Sequence, residues 1–505
     1  MTADTIAKLL AGKDQNRPAL GAPGAKSLTF GGLTALAHDV RSGLASAGVG
    51  RGDRVAIVLP NGPEMAAAFV TIAQAATTAP LNPAYRADEF EFYMSDLKAK
   101  ALVTLQGFDT PARGVAEKLG TAIIDIVPDS EKGAGAFKLV VPQGAKARPV
   151  EEPGPDDIAL VLHTSGTTSR PKIVPLAQSN VAASARHIGA TLGLTAEDRC
   201  LNIMPLFHIH GLIAAVLSSV AAGGETVCTP GFNALKFFAW LDEVAPTWVT
   251  AVPTMHQAIL SRAERNQDIL ARRKLKFIRS SSASLPPQVM LELEKTFGCP
   301  VIESYGMTEA AHQMASNPLP PRARKPGSVG IAAGPEVRIM SEDGTLLANG
   351  ELGEVVIRGP NVTKGYEANP EANAKGFTNG WFRTGDQGVM DEEGYLRITG
   401  RLKELINRGG EKVSPLEVDE VLMDHPAVAQ VVTFGMPHDK LGEEVAAAVV
   451  LKEGQQATER EIREFALQKL ADFKVPRKIV ILAEIPKGAT GKLQRIGLAQ
   501  KLGLG

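Results

Sequence analysis

Cysteine is scarce in this chain, with three residues in a length of 505. Cys200, Cys228 and Cys299 are widely spaced and form no CxxC pair. An odd number of cysteines with this spacing supports neither a disulfide framework nor a zinc site. We therefore expect buried or half-buried free thiols in a reducing compartment.

An excess of charge of either sign is also missing. The chain has 54 Lys and Arg residues against 55 Asp and Glu residues, which gives a formal net charge of -1 at pH 7. Nucleic acids and acidic membranes are recognised through clustered positive charge, and this balance offers no such surplus. We expect small-molecule partners and no nucleic acid.

Long hydrophobic runs are absent as well. The longest apolar stretch, GLIAAVLSSVAAGG from Gly211, is too short and too interrupted by Ser and Gly to span a bilayer. The first residues, MTADTIAKLL, lack the apolar core of a signal peptide, and the last, KLGLG, carry no peroxisomal address. We expect a cytoplasmic protein without membrane insertion, present as a monomer or homodimer.

What the sequence does contain is an alternation of short apolar runs with amphipathic segments. The apolar runs predict buried strands at 54–60, 101–105, 158–166, 248–254 and 275–283. The amphipathic segments predict helices at 33–48, 63–75, 179–193, 234–244, 254–265 and 286–297. This alternation predicts an α/β fold with doubly wound parallel sheets, in which ligands bind beyond the carboxyl ends of strands.

The composition changes along the chain. Residues 128–157 are rich in Pro, Gly and charge, which predicts a surface loop. Short strands with Gly turns at about 340–400 predict a β-rich subdomain within an N-terminal domain of residues 1–400. Residues 401–505 predict a separate small α+β domain. Its helices and strands are expected at 414–424, 429–435, 444–451, 458–470 and 478–482.

The stretch HTSGTTSRPK, residues 163–172, gathers hydroxyls, a glycine and a lysine after a predicted strand. Its backbone amides and hydroxyls, together with the charge of Lys172, suit a polyphosphate. No Gly-Lys-Ser/Thr closes the stretch, so it is not the usual P-loop, and a plain polar turn is the alternative. The candidate phosphate-binding residues are Thr164, Ser165, Gly166, Thr167, Thr168 and Lys172.

A second polar stretch is VIESYGMTEAAHQMASNP, residues 301–318, where a strand is expected to end at Glu303. Tyr305 is a candidate to stack on a purine, and Glu309 is a candidate ligand for Mg²⁺ that bridges phosphates. His312 follows Glu309 by three residues, near an expected exposed edge. The alternative is an aromatic residue at a strand end and a solvated glutamate.

Two further stretches lie towards the C-terminus. Asp386 and Arg401 bracket two predicted antiparallel strands, which would bring their side chains together, and a carboxylate that accepts from ribose hydroxyls is a common sugar contact. IPKGATGKLQR, residues 485–495, is a Gly-rich turn that presents Lys492. By itself this turn indicates only an exposed lysine.

Taken together, these stretches resemble the adenylate-forming superfamily of acyl-CoA synthetases, luciferases and adenylation domains. The resemblance covers roughly residues 25–500 and depends on TSGTTSRPK, SYGMTE, WFRTGD, GRLKELINRGGEKVSP and PKGATGKLQR in the order and spacing of that family. Within the superfamily, further strings are similar to the oxalate–CoA ligases of plants and microbes. These strings are PLFHIHGL, WVTAVPTMHQ, RSSSASL, MTEAAHQMASNPLP and RGPNVTKGY.

The resemblance implies a ligase that uses ATP, Mg²⁺ and coenzyme A in two half-reactions at one site. A carboxylate attacks the α-phosphorus of ATP and gives acyl-AMP and pyrophosphate, and the CoA thiol then attacks the acyl carbon and releases AMP. In this scheme Lys492 bridges the carboxylate and the α-phosphate, with Glu309 and Thr308 as its catalytic companions. The tail is implied to be mobile and to rotate about Lys403 between the half-reactions.

The resemblance also implies binding roles for the remaining motif residues. The nucleotide is expected to contact Ser282, Ala283, Ser284, Tyr305, Gly306, Met307, Thr308, Asp386 and Arg401, besides the phosphate-binding residues. Mg²⁺ is expected at Glu309 and Thr164. A weaker indication assigns CoA to Gly409, Gly410 and Lys412.

Recognition of oxalate requires donors or positive charge for its second carboxylate. The candidates near the expected acyl position are His208, His210, Arg279, Ser282 and His312, with His312 favoured. A gating role for His208 and a structural ion pair for Arg279 are the alternatives. Malonate or another short acid is the alternative substrate, and a luciferase-like oxidative enzyme, a carrier-protein adenylating enzyme or a non-catalytic AMP sensor are the alternative functions.

One residue departs from the family pattern. Ile173 follows the loop lysine at a position where relatives usually have glycine. A β-branched residue does not easily adopt positive φ, so either the chain is extended at this position or the phosphate loop closes less tightly. Activity is expected to be retained.

Overall fold

The structure is a computed structural model that describes residues 3–142, 144–164, 171–488 and 490–505. Within these residues the strands form four sheets, of nine, seven, five and five strands. The predicted α/β class with doubly wound sheets, a β-rich part and a small α+β tail is confirmed.

The first 340 residues contain the two large sheets and most of the helices. The strands are β1 (Pro18–Gly21), β2 (Leu28–Thr29), β3 (Arg54–Val58), β4 (Thr77–Pro80), β5 (Ala101–Leu105), β6 (Ala122–Pro128), β7 (Phe137–Val140), β8 (Ile158–His163), β9 (Ile173–Ala177), β10 (Arg199–Asn202), β11 (Glu225–Cys228), β12 (Trp248–Ala251), β13 (Phe277–Ser281), β14 (Val301–Met307), β15 (His312–Ser316) and β16 (Ile331–Ala332).

The helices of this part alternate with the strands of the large sheets along the chain. They are α1 (Ile6–Leu10), α2 (Phe30–Ser46), α3 (Pro63–Ile72), α4 (Ala87–Leu97), α5 (Pro111–Leu119), α6 (Gln178–Thr191), α7 (Ser218–Ala222), α8 (Phe237–Val244), α9 (Pro253–Leu260), α10 (Gln267–Arg272) and α11 (Pro287–Phe297). A π-helical segment, His210–Leu217, leads directly into α7.

The strand order places the phosphate loop on one large sheet and the serine and histidine motifs on the other. The seven-stranded sheet runs β7-β6-β5-β3-β4-β8-β9, and the nine-stranded sheet runs β16-β15-β14-β13-β12-β10-β11-β1-β2. The pairings β10–β12, β12–β13 and β13–β14 are parallel, so the carboxyl ends of these strands share one edge. The apolar runs of β3, β5 and β12 are buried along their length, as expected for strands covered on both faces.

Two sequence-based expectations about loops were wrong in part. Residues 128–157 are not a loop throughout, because β7 pairs antiparallel with β6 at the edge of the seven-stranded sheet. Strand β14 does not end at Glu303 but continues to Met307, because β15 pairs with its final residues from Ser304 onward. His312 is therefore buried in a hairpin, with 1% of its surface exposed, and does not lie near an exposed edge.

Residues 336–401 form a five-stranded antiparallel sheet, in agreement with the predicted β-rich subdomain. Its strands are β17 (Glu336–Met340), β18 (Gly353–Arg358), β19 (Phe377–Thr378), β20 (Trp381–Met390) and β21 (Leu396–Arg401), with α12 (Pro370–Gly376) before β19. β20 lies between β18 and β21 and pairs with both.

The tail forms its own sheet with its own hydrophobic core. Its elements are β22 (Ile406–Arg408), β23 (Glu411–Val413), α13 (Pro415–Met423), β24 (Val428–His438), β25 (Gly442–Leu451), α14 (Glu459–Leu467), β26 (Lys478–Ile481) and α15 (Leu498–Lys501). Val418 and Leu422 of α13 and Ile462 of α14 pack against buried residues of the sheet. The helices and strands expected after residue 413 are all present, with ends shifted by a few residues.

Cys200, Cys228 and Cys299 are free and buried, as expected. Burial raises the pKa of the Cys228 and Cys299 thiols to about 12, so both groups are protonated at neutral pH. In the part of the chain that the structure describes, no helix combines the length and the apolar character that a bilayer crossing requires.

Candidate active site

The predicted phosphate loop leaves the end of β8 and returns at the start of β9. Its base is closed by two bonds: the amide of Thr164 donates to the carbonyl of Lys172 (2.9 Å), and the amide of Lys172 donates to Thr164 Oγ1 (3.1 Å). Between these two residues the predicted phosphate ligands Ser165, Gly166, Thr167 and Thr168 lie outside the described residues.

Ile173 is extended, which resolves the departure from the family pattern. It is the first residue of β9, pairs with His163 and is buried. Its carbonyl accepts from the amide of Glu367 at 3.1 Å. Because the backbone is extended here, isoleucine replaces glycine at this position without the strain of a positive φ.

Lys172 and Glu309 are joined through a residue that the sequence did not single out, Tyr366. Lys172 Nζ lies 4.4 Å from the centre of the Tyr366 ring, within the range of a cation–π contact. The Tyr366 hydroxyl donates to Glu309 Oε1 at 2.7 Å. Burial and the neighbouring Lys403 lower the pKa of Lys172, whereas Glu309 opposes the shift.

Glu309 is a buried carboxylate and not the solvated residue of the alternative interpretation. It follows β14 in a short 3₁₀ turn, Thr308–Ala310, and is 6% exposed. Burial raises the pKa of Glu309, although its bond from Tyr366 and the nearby Arg401 and Lys172 act in the opposite direction. The described residues contain no cluster of three or more His, Cys, Asp or Glu side chains suited to a metal.

Asp386 and Arg401 are brought together as predicted. They are directly paired across β20 and β21, and Arg401 Nε donates to Asp386 Oδ1 at 2.8 Å. The Tyr305 hydroxyl donates to the other carboxylate oxygen of Asp386. Tyr305, predicted as a purine contact, therefore also fixes the orientation of the predicted ribose carboxylate.

Lys492 lies at the site and is not simply an exposed lysine. Its loop is attached to the start of α9, where Thr254 Oγ1 donates to the carbonyl of Gly491 at 2.7 Å. Gly491 has φ of 81° and lies so close to α9 that a Cβ atom would be 3.3 Å from Val252. Burial and the positive charge of Arg401 lower the pKa of Lys492 to about 8, against the opposing effect of Asp386.

The two histidines of FHIHG have different surroundings. His208 is half-buried, its Nδ1 accepts from the backbone amide of His210 at 3.3 Å, and burial together with Lys492 lowers its pKa to about 3. His210 is fully buried, with Nδ1 at 3.0 Å from Ser282 Oγ and Nε2 at 2.6 Å from Thr250 Oγ1. Both rings are neutral at physiological pH.

His312 lies against His210 in an edge-to-face contact, with ring centres 5.0 Å apart. Its backbone has φ of 104° and its carbonyl presses on Gly306, where a Cβ atom would come within 2.0 Å of that oxygen. Only glycine fits at position 306 for this reason. His312 Nδ1 is buried and has no hydrogen-bond partner among the described residues. Burial, with Arg279, His208 and Lys492 nearby, holds the pKa of His312 well below its usual value.

Arg279 has 0% of its surface exposed. Among the described residues it has no carboxylate partner, so the structural ion pair considered from the sequence is absent. The guanidinium instead lies near neutral groups, with Nη1 at 3.5 Å from both Thr250 Oγ1 and His210 Nε2 and Nη2 at 3.3 Å from Gln313 Oε1. Burial lowers the pKa of Arg279 to about 9, so the side chain is still a cation at neutral pH.

Ser282 marks the point where β13 turns into the site. It has φ of 75°, a rare value for a residue other than glycine, and it is half-buried beside His210. Ala283 and Ser284, the other predicted adenine contacts of this turn, are exposed. Met307 and Thr308 continue from Gly306 along the neighbouring strand end.

The predicted CoA and hinge residues lie in the tail, away from the acid cluster of His210 and His312. Gly409 and Gly410 form the turn of the hairpin between β22 and β23, both with positive φ, and Lys412 is exposed on β23. Lys403 is exposed just after β21. No hydrogen bond or ion pair links Gly409, Gly410 or Lys412 to another predicted site residue in the part of the chain that the structure describes.

Several residues of the site were missed from the sequence. Thr250 and Gln313 bond His210 and Arg279, and Tyr366 bonds Glu309. A signal was present for Thr250, a polar residue inside the buried strand β12. Gln313 and Tyr366 give no such signal, because their roles depend on which residues lie across from them in space.

Comparison with known proteins agrees with this geometry. The family described as AMP-binding enzyme matches residues 10–367, and the AMP-binding enzyme C-terminal domain matches residues 417–492. An oxalate–CoA ligase from Arabidopsis thaliana is 47% identical, covering 99% of each chain. An oxalate–CoA ligase from Saccharomyces cerevisiae is 42% identical, covering 89% of this chain and 87% of its own.

A similar solved structure is the crystal structure of ATP-bound MatB from Rhodopseudomonas palustris. Its TM-score to this chain is 0.88, with 29% sequence identity, and the alignment covers 99% of each chain. The similarity therefore extends over the large sheets, the β-rich part and the tail together.

Proposed function

The chain belongs to the AMP-binding enzyme family, and we propose that it joins oxalate to coenzyme A through an oxalyl-AMP intermediate. It is an AMP-forming acid–thiol ligase that uses ATP, coenzyme A and Mg²⁺. In the first half-reaction oxalate displaces pyrophosphate from ATP, and in the second the CoA thiol displaces AMP from oxalyl-AMP.

The observation that carries the choice of acid is a buried, positively charged side chain that has no counter-ion among the described residues. Arg279 is fully buried and, among the described residues, meets no carboxylate. Neutral His210 lies beside it, and neutral His312 packs against the ring of His210. A buried cation is costly unless an anion compensates it, and the second carboxylate of oxalate, bound nearby at Ser282, is proposed to supply that negative charge. An apolar acyl chain does not supply it.

The first half-reaction requires two anions to approach each other. Lys492 is proposed to lie between the oxalate carboxylate and the α-phosphate, where fixed positive charge offsets their repulsion and the charge that develops at phosphorus. Lys172 and the hydroxyls of the phosphate loop are proposed to bind the β- and γ-phosphates, so that pyrophosphate is held as the leaving group.

The donor set fits Mg²⁺ bound mainly through substrate phosphates. Magnesium sites of this kind use one or two carboxylates and keep the remaining positions for phosphate oxygens and water. Glu309 is a single buried carboxylate, oriented by Tyr366, and Thr164 lies at the base of the phosphate loop. Glu309 and Thr164 would hold the Mg²⁺ ion. A bound ion would neutralise part of the negative charge of the phosphates.

We propose that residues 1–400 and 401–505 act as two domains that change their relative orientation about Lys403. Among the described residues of the Lys492 loop, a side-chain bond from Thr254 to Gly491 attaches it to α9. Arg495, three residues after Lys492, pairs with Glu404 beside Lys403 at 3.0 Å. Withdrawal of Lys492 after adenylation would leave room for the CoA thiol, to which the turn of Gly409 and Gly410 is proposed to contribute.

The test is ATP–pyrophosphate exchange with oxalate, malonate, acetate, octanoate and 4-coumarate. Oxalate is expected to exceed malonate by about 10-fold or more, since a single methylene changes specificity by about 10–200-fold. Faster exchange with octanoate or 4-coumarate would overturn the proposal, and faster exchange with malonate would favour the malonate alternative. Formation of oxalyl-CoA from free CoA without O₂ uptake separates the ligase from luciferase-like and carrier-protein enzymes.

A further inference from the structure

Three neighbouring side chains, two of them fully buried, form a continuous hydrogen-bonded chain. Arg279 Nη1 lies 3.5 Å from His210 Nε2, and His210 Nδ1 lies 3.0 Å from Ser282 Oγ. Thr250 Oγ1 lies 2.6 Å from His210 Nε2 and 3.5 Å from Arg279 Nη1. Arg279 and His210 are fully buried, whereas Ser282 is half-buried at the rim of the pocket.

The guanidinium decides the direction of these hydrogen bonds. Arginine only donates, so an Nε2–H on His210 would face the N–H of Arg279 at 3.5 Å, donor against donor. Thr250 Oγ1 can accept from Arg279 and pass its own hydrogen to His210 Nε2. The Arg279 contact therefore favours an unprotonated Nε2, with which the Thr250 contact is compatible, and the ring hydrogen of neutral His210 then lies on Nδ1.

The orientation of Arg279 is itself held from behind. Its Nη2 donates to Gln313 Oε1 at 3.3 Å. The amide nitrogen of Gln313 donates to Thr191 Oγ1 and to the carbonyl of Ala333, both at 3.0 Å. Because both of these contacts engage the nitrogen, the oxygen of Gln313 must face Arg279, which fixes the guanidinium plane behind His210.

We infer that Arg279 is a positioning residue that holds His210 as the Nδ1–H tautomer, so that His210 donates to Ser282 and the Ser282 hydroxyl hydrogen is left to bind the anionic substrate. In the opposite tautomer Ser282 would donate to His210 Nδ1 and would turn its oxygen lone pairs towards the acid. A lone pair facing a carboxylate is repulsive, so the direction of one hydrogen bond decides whether Ser282 attracts or repels the acid.

This inference rests on the proposed function in one respect, namely that the bound acid is an anion at Ser282. It differs from the sequence-based expectation, in which Arg279 contacts the distal carboxylate directly. The strained backbone of Ser282, with φ of 75°, agrees with a side chain whose position is imposed by its partners.

The first experiment measures the tautomer in the unmodified enzyme. The chain contains nine histidines, and ¹⁵N-histidine labelling separates Nδ1–H from Nε2–H rings by their nitrogen chemical shifts. The His210 signal is identified by its loss in His210→Asn. An Nδ1–H ring is expected at His210, and an Nε2–H ring would overturn the inference. This measurement needs neither substrate nor a buried substitution at Arg279.

The second experiment replaces the guanidinium. Arg279→Met keeps most of the side-chain volume and removes the donors, so His210 is expected to shift towards the Nε2–H tautomer. The KM for oxalate is expected to rise by about 10-fold or more, as for a lost hydrogen bond to a charged group, with the KM for ATP changed less than about 2-fold. Arg324→Met is the control, since Arg324 pairs with Glu294 away from this chain.

The outcomes separate a positioning role from a structural one. If Arg279→Met lowers stability and raises both KM values equally while His210 keeps its tautomer, Arg279 is structural and the inference is wrong. If the acid panel selects a different anionic acid while the tautomer shifts as described, the inference holds for that acid and only the choice of oxalate fails. Restoration of the tautomer and of the KM for the acid by Arg279→Lys would confirm that a fixed cation is the requirement.

Discussion

Thr254 Oγ1 donates to the carbonyl of Gly491 at 2.7 Å, and this hydrogen bond joins the start of α9 to the loop of Lys492. Glycine at position 491 allows the loop to lie this close to α9. A Cβ atom at position 491 would lie 3.3 Å from Val252 and 3.4 Å from Met255. The contact holds the catalytic loop over the N-terminal site in the orientation that adenylation is proposed to need.

Lys492→Ala is expected to reduce pyrophosphate release from oxalate and ATP by about 10²–10³-fold, the cost of removing one charge-stabilising donor. The thiol step from preformed oxalyl-AMP should retain most of its rate, because Lys492 is proposed to leave before it. Lys487→Ala is the control, since Lys487 is an exposed lysine of the same loop. Pyrophosphate release at the normal rate would disprove the proposed role of Lys492.

The pH dependence of adenylation follows from the pKa of Lys492, lowered to about 8 by burial and Arg401. Lys492 is charged below this pKa and neutral above it, so kcat/KM for ATP in the exchange reaction should fall as pH rises through about 8. Lys492→Arg keeps its charge at higher pH and should remove this limb. A limb that persists in Lys492→Arg would assign the titration to another group.

His312→Ala is expected to raise the KM for oxalate by about 10-fold or more, the cost of a lost hydrogen bond to a charged group. The KM for ATP should change little, because His312 lies against His210 and Arg279 and not beside Asp386. Steady-state kinetics in both substrates measures the difference. The control is His38→Ala, because His38 lies on the exposed surface of α2. Equal effects of His312→Ala on both KM values would show that His312 does not contact the acid.

Tyr366→Phe removes the hydroxyl that donates to Glu309 and keeps the ring beneath Lys172. The Mg²⁺ concentration for half-maximal adenylation is expected to rise by about 10-fold, as for other residues that orient a metal ligand. A magnesium titration at saturating ATP gives the value. Tyr366→Leu removes both contacts and should in addition raise the KM for ATP. An unchanged magnesium requirement in Tyr366→Phe would mean that Glu309 is positioned without the Tyr366 hydroxyl.

Thr254→Val removes the bond to Gly491 with little change of shape. A single hydrogen bond contributes about 0.5–1.5 kcal/mol, so single-turnover adenylation is expected to slow by about 2–10-fold. Thiolysis of preformed oxalyl-AMP should keep its rate or become faster. The control is Thr345→Val, because Thr345 lies in a surface turn of the β-rich sheet. A slower thiol step in Thr254→Val would contradict the proposal that this bond holds the Lys492 loop in place for adenylation.

Much of the fold could be predicted because its signals are local. The apolar runs of β3, β5, β8, β12 and β13 and the amphipathic helices between them appear where they were expected. Strand β7 was missed because its four residues, FKLV, lie within a polar and Gly-rich stretch. The end of β14 was misplaced because Tyr305–Met307 are extended only through pairing with β15, which no local pattern reveals.

The sequence by itself predicted which residues form the phosphate loop, the Mg²⁺ carboxylate and the catalytic lysine, because each lies in a short motif that resembles those of the adenylate-forming family. Only the tertiary structure decided how the acid pocket is organised. Arg279, His210 and Gln313 come from different elements, and their bonds depend on strand register and on burial. A buried cation is distinguished from a paired one by its neighbours in space, and the order of residues along a chain does not contain those neighbours.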